Sequence, residues 1–245
     1  MKLKTLLKKM IYRHRASSED YIKWLRRRGM QIGEGTKIYN PLMTVIDETR
    51  PWMISIGKNC NITAGVTILT HDYGWSVLKG YYGEVIGSAG KVVIGDNVFI
   101  GMHSTILAGV KIGSNVIVGA NSLVNKDIPD NVVAAGNPCR IVKTLEEYRS
   151  KRKSLEIQEA VQMVRAYRDV YQKYPPVEIM REHFWLFEKD WKSVAEFDAV
   201  MNLVSGSRQL SEQCFREKQQ PFESYKDFLE YCFREDDGEK ARRFE

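Results

Sequence analysis

Aliphatic residues recur at every sixth position through the middle of this chain. Ile94, Ile100, Ile106, Ile112, Val118 and Val124 hold that spacing without a break. Gly95, Gly101, Gly113 and Gly119 directly follow four of them, and Val98, Ser104, Val110, Val116 and Ser122 fall four positions after the first five. Ile56, Ile62 and Ile68 carry the same period earlier, with Ile32 and Ile38 before them. A helix gives a period of about 3.6 and an ordinary strand about 2, so neither explains six. A coil of short strands and turns does, with one aliphatic per unit pointing inward and stacked coils burying a ladder of Ile and Val. Gly57-Lys58-Asn59, Gly95-Asp96-Asn97 and Gly113-Ser114-Asn115 fall at the turns, where they are expected to supply positive φ.

The period divides the chain into three regions. Residues 1–29 read as a basic helical segment, with Ser17 or Ser18 capping a helix through Arg28 and Gly29 stopping it. Residues 30–142 are the repeat, broken once by an insertion over residues 70–91 that contains His71-Asp-Tyr-Gly-Trp75 and ends its aromatic part at Gly83-Glu84. A polar, aromatic loop in a regular solenoid is where function is expected. Residues 143–245 lose the repeat and read as an α-helical extension, with helical spacing from Leu155 to Val164 and another helix start at Pro221. The aromatics of this extension (Phe184, Trp185, Phe187, Trp191, Phe228, Tyr231) read as packing residues.

Composition narrows the partners. With 43% hydrophobic and 28% charged residues in 245, the chain has the make-up of a soluble globular protein, and no apolar run approaches the length of a membrane span. Lysines scattered through the first eleven residues interrupt any signal-peptide core. The net charge of +6 is uneven: residues 1–30 hold ten Lys or Arg against two acidic residues, a balance of +8, which leaves −2 for the rest. That start is read either as a peripheral contact with an anionic membrane or as a solvated helix face. No basic patch with interleaved aromatics recurs, which argues against nucleic acid. Four widely spaced cysteines without a CxxC pair fit a reducing, cytoplasmic setting, and the basic N-terminus with the helical tail suggests work at the inner membrane face as one option.

The repeat, followed by Asn125-Lys-Asp-Ile-Pro129 and Ala134-Ala-Gly-Asn-Pro-Cys-Arg-Ile141, resembles the end of the solenoid in the hexapeptide-repeat acyltransferases. Phe99 to Gly113 is similar to the same family, whose nearest branches are the maltose/galactoside and xenobiotic O-acetyltransferases. Thr70-His-Asp-Tyr-Gly-Trp75, with the helical tail, looks more like enzymes that acetylate capsular and surface polysaccharides. The resemblance covers about residues 30–145. It implies a mainly β fold, a left-handed parallel β-helix flanked by the N-terminal helix and the C-terminal helical extension. It also implies a homotrimer with sites between neighbouring solenoids, acetyl-CoA as acyl donor, and a sugar or polysaccharide acceptor. By position it implies His71 as general base and Asn40, Asp72, Trp75 and Glu84 as acceptor-side residues. Gly101, Met102, Ala120, Asn125 and Lys126 would line the CoA groove, with Arg140 and Lys143 facing the nucleotide phosphates.

Acyl transfer to a hydroxyl needs a base that takes the proton as oxygen attacks the thioester, and imidazole, with an ordinary pKa of about 6.5, suits neutral pH. A carboxylate on its other nitrogen would fix the tautomer, and Asp72 or Glu84 is expected there. His71 and His103 alone fall within the solenoid, while His14 and His183 lie outside it. That set lacks the ligand spacing of a zinc site and speaks against a γ-carbonic-anhydrase-like metal enzyme, so no metal is expected. An N-acetyltransferase acting on an amino sugar and a non-catalytic β-helix assembly module stay open as rival functions.

Overall fold

The computed structural model describes residues 3–242, with side chains described for residues 7–234. Residues 1–2 of the basic N-terminal segment, and the side chains of residues 3–6, lie outside that description. By contacts the chain divides into two compact units, residues 1–149 and 150–245.

The first unit is a three-sided parallel solenoid. One sheet stacks Gln31–Ile32, Ile54–Ile56, Val92–Ile94 and Lys111–Ile112. The second stacks Lys37–Ile38, Asn61–Ile62, Phe99–Ile100, Ile117–Val118 and Val132–Ala135, and ends on the antiparallel strand Arg140–Thr144. The third stacks Val45–Ile46, Thr67–Ile68, Thr105–Ile106 and Leu123–Val124. The registers pair equivalent repeat positions, Ile62 with Ile100 and Ile100 with Val118, so one coil is three hexapeptides. Every aliphatic of the period-six ladder, from Ile32 to Val124, is buried in one core. Val98, Ser104, Val110, Val116 and Ser122 are buried beside them.

The turns work differently from the sequence expectation. Asn59, Asn97 and Asn115 take the left-handed conformation, at φ of 55°, 55° and 56°. Asparagine tolerates it because its short amide bonds locally. The glycines two positions earlier are needed for close approach instead. A Cβ on Gly33 would stand 2.5 Å from the carbonyl carbon of Gly57 in the next coil, and one on Gly57 would stand 2.4 Å from the Gly95 carbonyl oxygen. Gly33→Ala should therefore cost about 1–3 kcal/mol by pressing one coil off the next. Gly87→Ala, where nothing lies within 4 Å of the added carbon, should be nearly neutral. Urea midpoints of the two variants check this.

Two helices precede the solenoid: α1 (Leu3–Tyr12) and α2 (Ser18–Arg27). Ser17 caps α2 by accepting from the Asp20 amide at 3.1 Å, and Gly29 follows at φ 100°. Ser18 has another role, accepting from the Ile38 amide at 2.9 Å. Tyr21, Ile22 and Leu25 of α2 are buried in the same core as the coil aliphatics, so α2 covers the first coil. Full burial of a side chain of Leu25's size contributes about 1.5–3 kcal/mol. A third helix, α3 (Trp75–Tyr82), lies inside the insertion, where the sequence suggested only a loop.

The helical extension begins with α4 (Leu145–Tyr171). Its start is a reciprocal capping box: Glu147 accepts from the Thr144 amide at 2.7 Å and Thr144 accepts from the Glu147 amide at 3.1 Å. The second unit continues with α5 (Ala195–Met201), α6 (Arg208–Glu217) and α7 (Tyr225–Arg242). α7 begins four residues after the predicted Pro221. Phe184, Phe187, Trp191 and Phe228 are buried in this unit's core and Trp185 packs against it, whereas Tyr231 is exposed. Among the described residues no helix is long and apolar enough to cross a membrane.

Candidate active site

The insertion leaves the solenoid where the third sheet turns toward the first. Val45–Ile46 and Thr67–Ile68 are paired there, and the Asp47 amide donates to the Ile68 carbonyl at 3.0 Å. Asp47 and the Thr70-His71 pair therefore leave adjacent strands at one corner. Asp47 Oδ2 lies 2.9 Å from His71 Nδ1 and accepts from the Thr70 hydroxyl. Asp47 Oδ1 accepts from the Thr49 hydroxyl at 2.6 Å and the Thr49 amide at 2.9 Å. The Asp47 side chain is 4% exposed and His71 29%, so the carboxylate is enclosed while the ring keeps an open side.

Burial pushes the Asp47 carboxyl up, but the hydroxyls of Thr49 and Thr70, the Thr49 amide and the His71 ring outweigh it and hold it down at about 2. Asp47 is thus an anion at neutral pH with only acceptors to offer. The 2.9 Å contact then requires a hydrogen on Nδ1, which leaves the Nε2 lone pair as the basic atom. The same depression is a stability term. It is present above pH ~4 and lost as pH falls through about 2. Comparing urea stability with Asp47→Asn, the wild-type advantage should shrink by roughly 1 kcal/mol between pH 6 and 3.

The loop is tied down by other residues. Asp72 accepts from the Gly74 amide at 2.7 Å and the Ser88 hydroxyl at 2.9 Å, which hold its carboxyl below the ordinary range. The Gly90 amide closes on the Thr70 carbonyl at 2.8 Å, and Arg50 Nη1 reaches the Ser88 carbonyl at 3.1 Å. The partner expected on the imidazole at Asp72 or Glu84 is therefore Asp47. Asp72 spends its oxygens stapling the loop to itself, and Glu84 is exposed to solvent. Trp75 packs on Tyr73, with ring centroids 4.8 Å apart, and Tyr81 meets Tyr82 edge-on at 4.6 Å. α3 buries none of its residues.

Five of the remaining candidates and Asn40 fall on two edges of the third face. Asn125 and Lys126 follow Val124 at the edge that carries His71, both exposed. Asn40, Gly101, Met102 and Ala120 lie at the opposite edge, between the second and third sheets. Asn40 stands there at φ 49°, exposed, its carbonyl accepting from the Thr44 hydroxyl at 3.2 Å. Gly101 packs so closely that a Cβ would stand 2.5 Å from the Ala120 amide nitrogen. His103 shares this edge, its ring over Gly65, and is separated from His71 by the whole face. Arg140 and Lys143 lie on the last strand of the second sheet, Arg140 exposed with Nη1 on the Cys139 carbonyl at 2.8 Å. Among the described residues no three His, Cys, Asp or Glu side chains gather as metal ligands. Sequence reasoning missed Thr49 and Thr70. The Asp47-x-Thr49 spacing, which favours a side-chain turn onto the amide two residues on, was the available signal.

Residues 91–126 match the family described as bacterial transferase hexapeptide (six repeats). A putative acetyltransferase, YvoF of Bacillus subtilis (strain 168), is 41% identical over 130 residues, 53% of this chain and 70% of that protein. Protein CapG of Staphylococcus aureus is 41% identical over 149 residues, 61% of this chain and 83% of the relative. The galactoside O-acetyltransferase of Escherichia coli (strain K12) is 38% identical over 122 residues, 49% of this chain and 57% of that enzyme.

Proposed function

This chain belongs to the hexapeptide-repeat acyltransferases, and from that membership we propose that it transfers an acetyl group from acetyl-CoA to a hydroxyl of a sugar or polysaccharide, with His71 as the general base. The observation that carries this reading is the His71–Asp47 pair at the break in the repeat. Nε2 of His71 takes the acceptor's proton as its oxygen attacks the thioester carbonyl. Collapse of the tetrahedral adduct breaks the carbon–sulfur bond, and the leaving CoA thiolate receives the proton from the imidazolium. Asp47 stays ionised throughout and balances the imidazolium charge.

Acetyl-CoA and the acceptor meet where the two edges of the third face are brought together by neighbouring protomers. Lys126, with Arg140 and Lys143, offers cations suited to nucleotide phosphates, and the close-packed Gly101–Ala120 edge offers backbone to a pantetheine arm. Met102 and Asn125 complete that groove. Asn40, Trp75 and Glu84 are assigned to the acceptor, and Asp72 to the shape of the loop. His71 and Asn40 stand on opposite edges of one solenoid. We read this as a homotrimer in which one protomer's His71 edge faces its neighbour's Asn40 edge, with the coil left-handed as the family resemblance implies.

Incubating the chain with acetyl-CoA and a panel of soluble sugars, oligosaccharides and amino sugars, followed by mass spectrometry, tests the proposal. The expected result is one added acetyl group on a hydroxyl acceptor. Transfer to an amine alone would make the enzyme an N-acetyltransferase. Absence of acetyl-CoA binding at about millimolar concentration, the weak end of ordinary KM values, would leave an assembly module. Stoichiometric zinc in the purified protein would also overturn the proposal.

A further inference from the structure

We propose that the exposed apolar face of α1, beside the loop that carries Asn40, docks on an anionic lipid bilayer. Leu7, Met10 and Ile11 fall at i, i+3 and i+4 on α1 and are 57%, 72% and 62% exposed. Three large apolar side chains on one helix face are left in water by the chain's own fold. The loop that carries Asn40 lies beside the helix. Lys8, Asn40, Pro41 and Leu42 line one cavity of about 390 Å³. Arg15 fixes that loop against the junction of α1 and α2, donating through Nη1 to the carbonyls of Pro41 at 2.7 Å and Thr44 at 3.1 Å.

Charge selects the occupant. The apolar patch sits in the segment of +8, while the rest of the chain sums to −2. A second copy of this chain meeting it face to face would set +8 against +8. An anionic bilayer accepts both components, apolar side chains in the acyl boundary and lysines among the headgroups. One helix face with three apolar residues suits a contact in the plane of the bilayer surface. It places Asn40 beside the lipid surface. Together with the transferase reading, on which this one consequence rests, it makes the acceptor a glycan presented at a membrane.

The test is co-sedimentation of the full chain with vesicles of phosphatidylcholine alone or with about 30% phosphatidylglycerol added. Binding should be at least about tenfold stronger to the anionic vesicles and should fall in about 0.5 M salt, where screening is short-ranged. The variant pair Leu7→Glu/Ile11→Glu should lose at least about tenfold of that binding while keeping its circular dichroism and its acetylation of a soluble acceptor. Lys8→Glu, a surface charge change that leaves the apolar residues in place, should weaken anionic binding alone. Equal binding to both vesicle types, or unchanged binding by the double variant, would overturn the proposal, as would self-association lost with the double variant in place of vesicle binding. A chain that binds anionic vesicles yet acetylates nothing would overturn the transferase reading and leave the docking surface standing.

Discussion

His71→Ala is expected to lower turnover of acetyl transfer by about 10²–10⁴-fold while acetyl-CoA still binds. The size follows from the ring's single task, taking a proton in the transition state. The ring is 29% exposed and belongs to neither hydrophobic core, so its removal opens no cavity. Asp47 is not orphaned either. Its Oδ2 keeps the Thr70 hydroxyl and its Oδ1 keeps both groups of Thr49. The fold should therefore be indifferent, with unfolding free energy within about 0.5 kcal/mol of wild type. Calorimetric titration with acetyl-CoA, steady-state rates on the acceptor found in the panel, and a thermal melt give the three readouts. A turnover within about threefold of wild type would sink the general-base assignment, because a positioned base is worth far more than that.

The ladder from Ile32 to Val124 was legible because a coil of three hexapeptides repeats its inward positions in sequence, and burial follows that period directly. The reason for the glycines was not. Gly33 and Gly57 are dictated by the carbonyls of the next coil, and the approach of one coil to another has no signature in a single turn. His71 could be singled out because it stands where the period stops. Its partner could not, because Asp47 lies a full coil earlier and only strand pairing in the third sheet brings the two together. Asp72 looked equivalent in sequence, yet adjacency along a chain does not fix which way a carboxylate turns. Here the Gly74 amide and Ser88 hydroxyl capture it. The split of the other site residues between two edges was likewise hidden, since a period of six assigns each residue a corner but does not say which corners work together.

Asp47→Asn is expected to lower kcat by about 10²–10⁴-fold, with KM for acetyl-CoA little changed. The substitution keeps the shape, and its effect depends on which way the amide turns. The Thr49 amide and hydroxyl both donate to Oδ1 of Asp47, so an asparagine must keep its oxygen there. Its nitrogen is then forced into the place of Oδ2, facing Thr70 and Nδ1 of His71. An amide N–H donates, so the ring is held with Nδ1 as acceptor and the hydrogen on Nε2, the tautomer that cannot take a proton from the acceptor. The variant should fold, because Thr49 remains paired and the Thr70 hydroxyl can rotate to accept. Asp47→Ala, by contrast, should cost about 1–3 kcal/mol for the buried Thr70 hydroxyl left without its acceptor, while the exposed Thr49 can turn to water. A merely structural carboxylate would make the two variants differ in stability alone. A positioning one makes the asparagine variant stable and slow, with the His71 ring nitrogens exchanging their NMR signatures. Wild-type turnover in a folded Asp47→Asn protein would mean that the tautomer of His71 is set by something other than the carboxylate 2.9 Å from it.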